Sequence, residues 1–352
     1  VVTLRQVAAE AGVSLSTASR VLSGSDYPVA LDLREKVEGV ARRLDYVPNA
    51  SAQALHVGST RTIGLVLGSL SDPYFNAMAE GVEEAATLQG YPVTICATHR
   101  DPETELSYFR LLQAQRCRAL IVAGSGLDVP AYAEGVRVRA AALRANGNRM
   151  VTIGRHPLGE ADQILVDNVL VGRLVGEHLV RLGRRRVGAL VGDRRVTSTT
   201  DRLAGLTSVV TAAGGEVLAV DVPAATRDGG AQALGVLLDQ ALSHTWGAGS
   251  GRSRCGLNAV FGTADQMAIG AMAALRVRGL SVPEDVSVVG CNDIAGAVDA
   301  HPALTTVHLP LREMGRAAVR LGLADASVEP RTVEMAVHLA VRESTSPFGE
   351  AD

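Results

Sequence analysis

The chain has 352 residues, 47% of them hydrophobic, and a formal net charge of −3. That length allows two or three domains with a large core, and the near-neutral balance excludes a polybasic chain. No apolar run is long enough, and free enough of charge and glycine, to cross a bilayer as a helix, and "VVTLRQVAAE" has neither the basic flank nor the apolar stretch of a signal peptide. Cys96, Cys117, Cys255 and Cys291 are scattered without CxxC spacing. Free thiols in a reducing compartment are expected, and so a cytoplasmic location.

The first stretch, "TLRQVAAEAGVSLSTASRVLSG", differs from all that follows. Thr3 and Gln6 have the spacing of a capping box. Val7, Ala8 and Ala11 give the first helix an apolar face, and Gly12 permits a turn with positive φ. Ser14 can cap a second helix running to about Leu22, with Ala18, Val21 and Leu22 facing inward. Ser16, Ser19 and Arg20 then point outward, with Leu15 and Thr17 at the first turn. A third amphipathic helix, about Leu31–Leu44, closes the set. The spacing fits a helix-turn-helix whose second helix presents small polar groups and one Arg to the DNA major groove. It also fits any small three-helix domain. "YVPNASAQALHVGST" adds Asn49 as an N-cap and a helix of one to two turns ending at Leu55, too short to be stable alone. Leu55 is either an apolar wedge for a minor groove or a packing residue against the larger domain.

From about Ser59 the chain alternates apolar strands with helices. "TIGLVLGS", "YPVTICAT", "RALIVAG" and "MVTIGR" read as strands separated by helices, and "QILVDN", "RVGALVG", "EVLAVDV", "LNAVFG" and "VSVVGCN" continue the pattern. Continuous apolar strands of this kind belong to parallel sheets covered on both faces. Two α/β halves in series are expected, with a ligand site between them. "ALTTVHLPLREMGRAAVRLGL" adds a strand and a helix, "RTVEMAVHLAVRES" a last strand, and "STSPFGEAD" a frayed end. The Gly/Ser-rich "SHTWGAGSGRSRCG" precedes a strand and so should lie away from the ligand end.

Taken together and in order, these segments resemble the LacI/GalR family of transcription regulators, with "LDYVPNASAQAL", "SDPYF", "VDN", "RLAGL", "ADQMAIGAMAALRVRGLSVPEDVSVVGCND" and "PALTTVHLP" adding to the match. The resemblance implies a DNA-binding headpiece, a hinge helix, a core similar to periplasmic sugar-binding proteins, and a homodimer on a pseudo-palindromic operator. The expected division is a headpiece at 1–47, a hinge at 48–60, a core at 61–343 and a flexible tail at 344–352. The core is expected to split into 61–158 with 291–309, and 159–290 with 310–343. Thr3, Ser14, Leu15, Ser16, Thr17, Ser19, Arg20, Asn49 and Leu55 are the candidate DNA contacts. Two departures stand out. Six basic side chains in residues 1–60 are balanced by six acidic ones, where headpieces usually lean basic. Ala30 occupies the place of a usual Ser cap before the third helix.

Ligands of open α/β sheets sit at the carboxyl ends of strands. That rule selects the loops at 69–75, 98–101, 124–128, 154–156, 192–199, 263–265 and 291–293. The resemblance converges on Tyr74 and Phe75 as stacking aromatics and on Arg202 as a ligand-binding Arg, with Ser198 one turn before it. Asn292 stands where the family usually has Asp, and Ala264 where a polar Asn is frequent. Ser125, Arg155, Asp265 and Asp293 complete the candidate effector contacts. Tyr74 could instead be a core residue at a helix start, Arg202 an ion-pair partner on a helix face, and Ser198 a helix cap. An enzyme is disfavoured: there is no GxGxxG after the first strand, no P-loop, no HExxH and no GxSxG. No cofactor and no metal are expected. The expected function is a ligand-responsive repressor controlled by a sugar or related metabolite; the alternative is a small-molecule-binding protein of the periplasmic type without effective DNA binding.

Overall fold

The computed structural model describes residues 2–22, 28–47, 60–156, 161–222, 224–247, 253–325 and 329–348. The chain forms two compact units, Val1–Thr60 and Arg61–Asp352. The hinge candidates Asn49 and Leu55 lie outside the described residues.

The first unit holds α1 (Leu4–Ala11), α2 (Leu15–Leu22) and α3 (Leu31–Arg43). The capping box forms: the Gln6 N–H donates to Thr3 Oγ1, and the Thr3 N–H donates to Gln6 Oε1 at 2.8 Å. Gly12 takes φ 65° and ends α1, and the Thr17 N–H donates to Ser14 Oγ at 3.1 Å to start α2. The core is made of small side chains, chiefly Val7, Ala8, Ala11, Ala18, Val21, Val37, Val40 and Ala41. Helix α3 starts after Ala30 with no side-chain cap. An Ala30→Ser substitution is therefore expected to stabilise α3 by about 1 kcal/mol. Amide exchange in its first turn should slow by roughly fivefold. Unchanged exchange there would mean that those N–H groups gain nothing from a cap.

In the second unit, strands β1 (Ile63–Leu67), β2 (Val93–Ala97), β3 (Ala119–Ala123), β4 (Arg149–Ile153) and β5 (Asp162–Leu165) alternate with helices α4 (Pro73–Leu88), α5 (Pro102–Ala114) and α6 (Pro130–Ala145). Then follow α7 (Asn168–Arg181), β6 (Arg186–Val191), α8 (Thr197–Ala212), β7 (Glu216–Asp221), α9 (Arg227–Ser243), β8 (Ala259–Gly262), α10 (Asp265–Val277) and β9 (Ser287–Asn292). The last elements are β10 (Thr305–His308), α11 (Leu311–Leu323), β11 (Thr332–Glu334) and β12 (His338–Ala340). Two six-stranded sheets result, in the orders β11-β5-β4-β3-β1-β2 and β12-β10-β9-β8-β6-β7. All neighbours are parallel except β10 and β12. Every residue of β1, β3, β8 and β9 is buried, and β1, β3 and β8 accordingly read as unbroken apolar runs. Among the described residues no helix is long and apolar enough to cross a membrane.

The core divides differently from the expected boundaries. Strand β5 pairs with β4 and β11, so residues 162–165 belong to the first sheet, not the second. Strand β10 pairs with β9 in the second sheet, while α11 packs on α4 and the first sheet. The segment 291–309 thus lies with the second sheet, not the first, and of 310–343 only β12 lies in the second sheet as expected, while α11 and β11 join the first. The last strand is in fact two, β11 in the first sheet and β12 in the second. The chain crosses between subdomains three times: after β5, after β10 and after β11. The expected frayed end also needs correction. Ser344 is fully buried, its N–H donating to the Ala303 carbonyl at 3.0 Å and its own carbonyl accepting from Val288 N–H at 2.8 Å. Further on, Phe348 lies under the buried Arg184 guanidinium at 4.8 Å. Arg184 also donates to carbonyls of Pro283, Asn258 and Ser346, tying the tail to the second subdomain.

Candidate functional site

Two surfaces carry the polar residues singled out above. The first is on the small unit. Leu15, Ser16 and Arg20 are exposed on α2, Thr17 and Ser19 are half-buried, and Ser14 and Thr3 are exposed at the helix starts. Ser14 Oγ lies 2.8 Å from both Ser16 Oγ and Thr17 Oγ1, so the three hydroxyls form one capped turn at the start of α2. The inward face of α2 is Ala18 and Val21. A two-helix turn with an Arg and hydroxyls along its outer helix has the shape and donors to enter a major groove.

The second surface is a cleft of about 440 Å³ in the large unit. Loops after β1, β2, β6, β7, β8 and β9 line it, all at strand carboxyl ends. Tyr74, Phe75, Ser198, Arg202 and Asn292 are brought together there. So are Asp72, Arg100, Asp193 and Thr263, which lie in the loops the strand-end rule selects, and Arg227, which lies outside them. The loop Ala224–Arg227 was missed altogether, though it follows a strand and the loop rule would have found it.

Tyr74 and Phe75 start α4 and meet edge to face, ring centroids 5.0 Å apart. Asp72 caps that helix, accepting from the Tyr74 N–H at 3.0 Å. Burial raises the Asp72 carboxyl above its usual range, against the opposing pull of the Tyr74 N–H and Arg100. The Arg100 guanidinium sits 5.2 Å from the Phe75 ring centre and donates to the Ser125 carbonyl at 2.9 Å. Asp193 is held below the usual carboxylate range, chiefly by its hydrogen bond from Arg195.

Arg202 is only 6% exposed. Its Nε donates to Asn168 Oδ1 at 2.8 Å, and its Nη1 donates to the Thr263 carbonyl at 2.6 Å and to Asn292 Oδ1 at 3.3 Å. It is not the surface ion-pair partner that a helix-face Arg often is. The residues around the cleft also carry unusual backbone. His99, Arg100, Asn292 and Asp293 have φ of 53°, 62°, 117° and 57°, in the region that L side chains rarely adopt.

Four candidates lie off the cleft lining. Ser125 contributes its carbonyl to Arg100. Arg155 points outward and forms a two-pronged pair with Asp201, Nη2 at 2.8 Å from both oxygens. Asp265 is fully buried, accepting from Thr306 Oγ1 at 2.5 Å and from the Ile294 N–H at 2.9 Å. Asp293 takes a charge-assisted bond from Arg342 at 2.6 Å and meets His308 Nδ1 at 2.9 Å. The loop rule puts these residues near the cleft, but the partners of Arg155, Asp265 and Asp293 turn those side chains elsewhere.

The Arg155–Asp201 pair has a structural setting of its own. Beside it the Thr197 N–H donates to the Gly126 carbonyl at 3.1 Å, Thr197 Oγ1 donates to the Arg155 carbonyl at 2.9 Å, and the Asp128 N–H donates to the Arg195 carbonyl at 2.6 Å. Together they clasp the first subdomain's loops to the start of α8. Among the described residues no three metal-ligating side chains gather.

Both units resemble known proteins. The description "Bacterial regulatory proteins, lacI family" matches residues 3–49, and "Periplasmic binding protein-like domain" matches 177–345. The chain is 30% identical to the HTH-type transcriptional regulator DegA of Bacillus subtilis, covering 98% of each. It is 32% identical to the HTH-type transcriptional regulator GalR of Escherichia coli, covering 93% of this chain and 90% of that one. Its structure is similar to that of the Lac repressor dimer bound to operator and the anti-inducer ONPF, with a TM-score of 0.78 and 27% identity over 98% of this chain and 99% of that one. A complex of the transcriptional regulator CelR with cellobiose matches at a TM-score of 0.66 and 29% identity, over 98% and 100%.

Proposed function

The chain belongs to the lacI family of bacterial regulatory proteins, and we propose that it is a sequence-specific repressor whose hold on DNA is set by a small molecule in the cleft. The carrying observation is that one chain joins a helix-turn-helix, with hydroxyls and an Arg on its outer helix, to a cleft lined from both core subdomains. Relatives described as transcriptional regulators over nearly the full length support the same reading, as does a Lac repressor described as an operator-bound dimer. Two copies of α2 would then read two half-sites of a pseudo-palindrome.

Control follows from linkage. Tyr74 and Phe75 come from the first subdomain, Arg202 and Asn292 from the second. A ligand touching both biases their relative angle, and the clasp at Arg155–Asp201 and Thr197 is the contact such a change must strain or tighten. Coupling of this kind is typically about 1–3 kcal/mol.

Selection from randomised duplex DNA by the full chain, at two salt concentrations, tests the reading. A pseudo-palindromic site should emerge. Because acidic and basic side chains balance in residues 1–60, its salt dependence should be shallow. No enriched sequence at either salt would show that the chain without a cleft ligand does not select an operator. An Arg20→Ala substitution should lose about 1–3 kcal/mol of discrimination at one base pair per half-site. Unaltered sequence preference in that variant would show that α2 is not the reading helix.

A further inference from the structure

We infer that the cleft takes an anionic ligand, one whose carboxylate or phosphoryl group pairs with Arg202. The inference rests on reading the cleft as the effector site. Arg202 is a permanent cation, more than nine-tenths buried, and each of its hydrogen-bond acceptors is neutral: an amide oxygen of Asn168, a backbone carbonyl of Thr263 and an amide oxygen of Asn292. No carboxylate among the described residues bonds to it, and its Nη2 has no partner among them. A buried charge left uncompensated is costly, so the structure calls for a counter-ion at this point.

Two helix starts reinforce the demand. Helices α8 and α10 begin after Val196 and Ala264, and neither has a side-chain cap. Ser198, Thr199, Gln266 and Met267, in their first turns, line the cleft. The positive ends of the two helix dipoles thus face the same space as Arg202. The acid in the first turn of α10, Asp265, is turned away onto Thr306 and Ile294.

The cleft's own carboxylates are engaged. Asp72 caps α4 and faces Arg100, and Asp193 is paired with Arg195 at 2.7 Å. Arg227 adds another cation at the rim, its Nε donating to the neutral Gln266 Oε1 at 3.0 Å. A neutral sugar could accept from Nη2 but would leave the charge standing. A carboxylate or phosphate supplies both acceptor and charge. Tyr74 and Phe75 offer an apolar wall for the rest of the molecule.

The test uses the full chain and two fragment probes, inorganic phosphate and acetate, each against chloride at equal ionic strength. Thermal stability is followed by the fluorescence of the single tryptophan, Trp246. At least one probe should raise the melting temperature of the wild type, with a dissociation constant in the millimolar range. Asn292→Asp would set a carboxylate beside Arg202, and apparent affinity should then fall roughly tenfold or more. Arg202→Gln should abolish the response. Equal responses in all three proteins, or none in the wild type, would overturn the inference. Which probe acts separates a phosphoryl from a carboxylate group. An enriched operator reports the DNA-binding reading by itself, so a selected operator with no anion response would sink this inference and leave the regulator standing. Release of that operator by a neutral sugar but by no anionic derivative of it would likewise overturn it.

Discussion

A Gly172→Val substitution is expected to destabilise the second subdomain by about 3 kcal/mol and to unseat Arg202 in the same stroke. Helices α7 and α8 approach through a reciprocal pair of glycines. A Cβ built on Gly172 would lie 2.0 Å from the Arg202 carbonyl oxygen and 2.7 Å from the Leu206 nitrogen. One built on Gly205 would lie 2.1 Å from the Val169 carbonyl oxygen. These are backbone atoms, with no side chain to swing aside, so the helices must part. Their separation matters to the cleft because Asn168, the first residue of α7, accepts from Arg202 on α8. Pushing the helices apart stretches that bond and moves Ser198 and Thr199 with it. Urea unfolding followed by Trp246 fluorescence should show an earlier midpoint with an unchanged slope, and the anion response should weaken. A midpoint equal to the wild type's would show that the close approach costs nothing, and the packing account would be wrong.

What the sequence revealed and what it hid have separable causes. Strands buried on both faces are nearly all apolar, so β1, β3 and β8, and the Val288–Val289 centre of β9, are legible without any partner in view. Caps are local chemistry, so Thr3–Gln6 and Ser14 could be read from spacing alone. Sheet membership is different, because a strand is assigned by its neighbours across space. "DQIL" carries no mark of which sheet it joins, and β5 was placed in the wrong half. The segment around Met335–Val337 keeps its alternation while passing from one sheet to the other, which made two strands look like one.

The site shows the same division. Loops at strand ends could be named, and Tyr74, Phe75, Ser198, Arg202 and Asn292 do meet there. Which way a loop carboxylate turns depends on donors elsewhere in the chain. Asp265 answers to Thr306 and Ile294, Asp293 to His308 and Arg342, and no local pattern records those partners. The loop rule includes Arg100 in 98–101, but its place over Phe75, on a left-handed backbone at His99 and Arg100, has no local signature in the sequence.

Between pH 4 and 6 two buried groups near the cleft should pull stability in opposite directions, and single substitutions should expose each. His156 is 4% exposed, with Nε2 2.9 Å from the Gly124 carbonyl and no partner for Nδ1. Burial above all, aided by the charge of Arg100 and opposed by the Gly124 carbonyl, brings it down to about 4 from 6.5. The unfolded chain therefore binds the proton first as pH falls, and the native state loses about 3 kcal/mol between pH 6.5 and 4. Asp265 is wholly buried and pushed up to about 6 from 3.8, mainly by burial and further by Asp293, while Thr306 and backbone N–H groups hold it back. Here the native state holds the proton more tightly, so stability is lost as pH rises through the window, again by about 3 kcal/mol. The two slopes offset each other where they overlap. His156→Gln keeps a donor for the Gly124 carbonyl and removes the acid-side loss, so that variant should grow more stable, relative to wild type, as pH falls from 6.5 to 4.5. Asp265→Asn should do the reverse, because Thr306 can accept from the new amide while the proton linkage disappears. Urea unfolding of the three proteins at both pH values reads the differences directly, with every other titrating group common to all. Parallel lines for both variants and the wild type would mean that neither group is held in its native state away from its ordinary protonation.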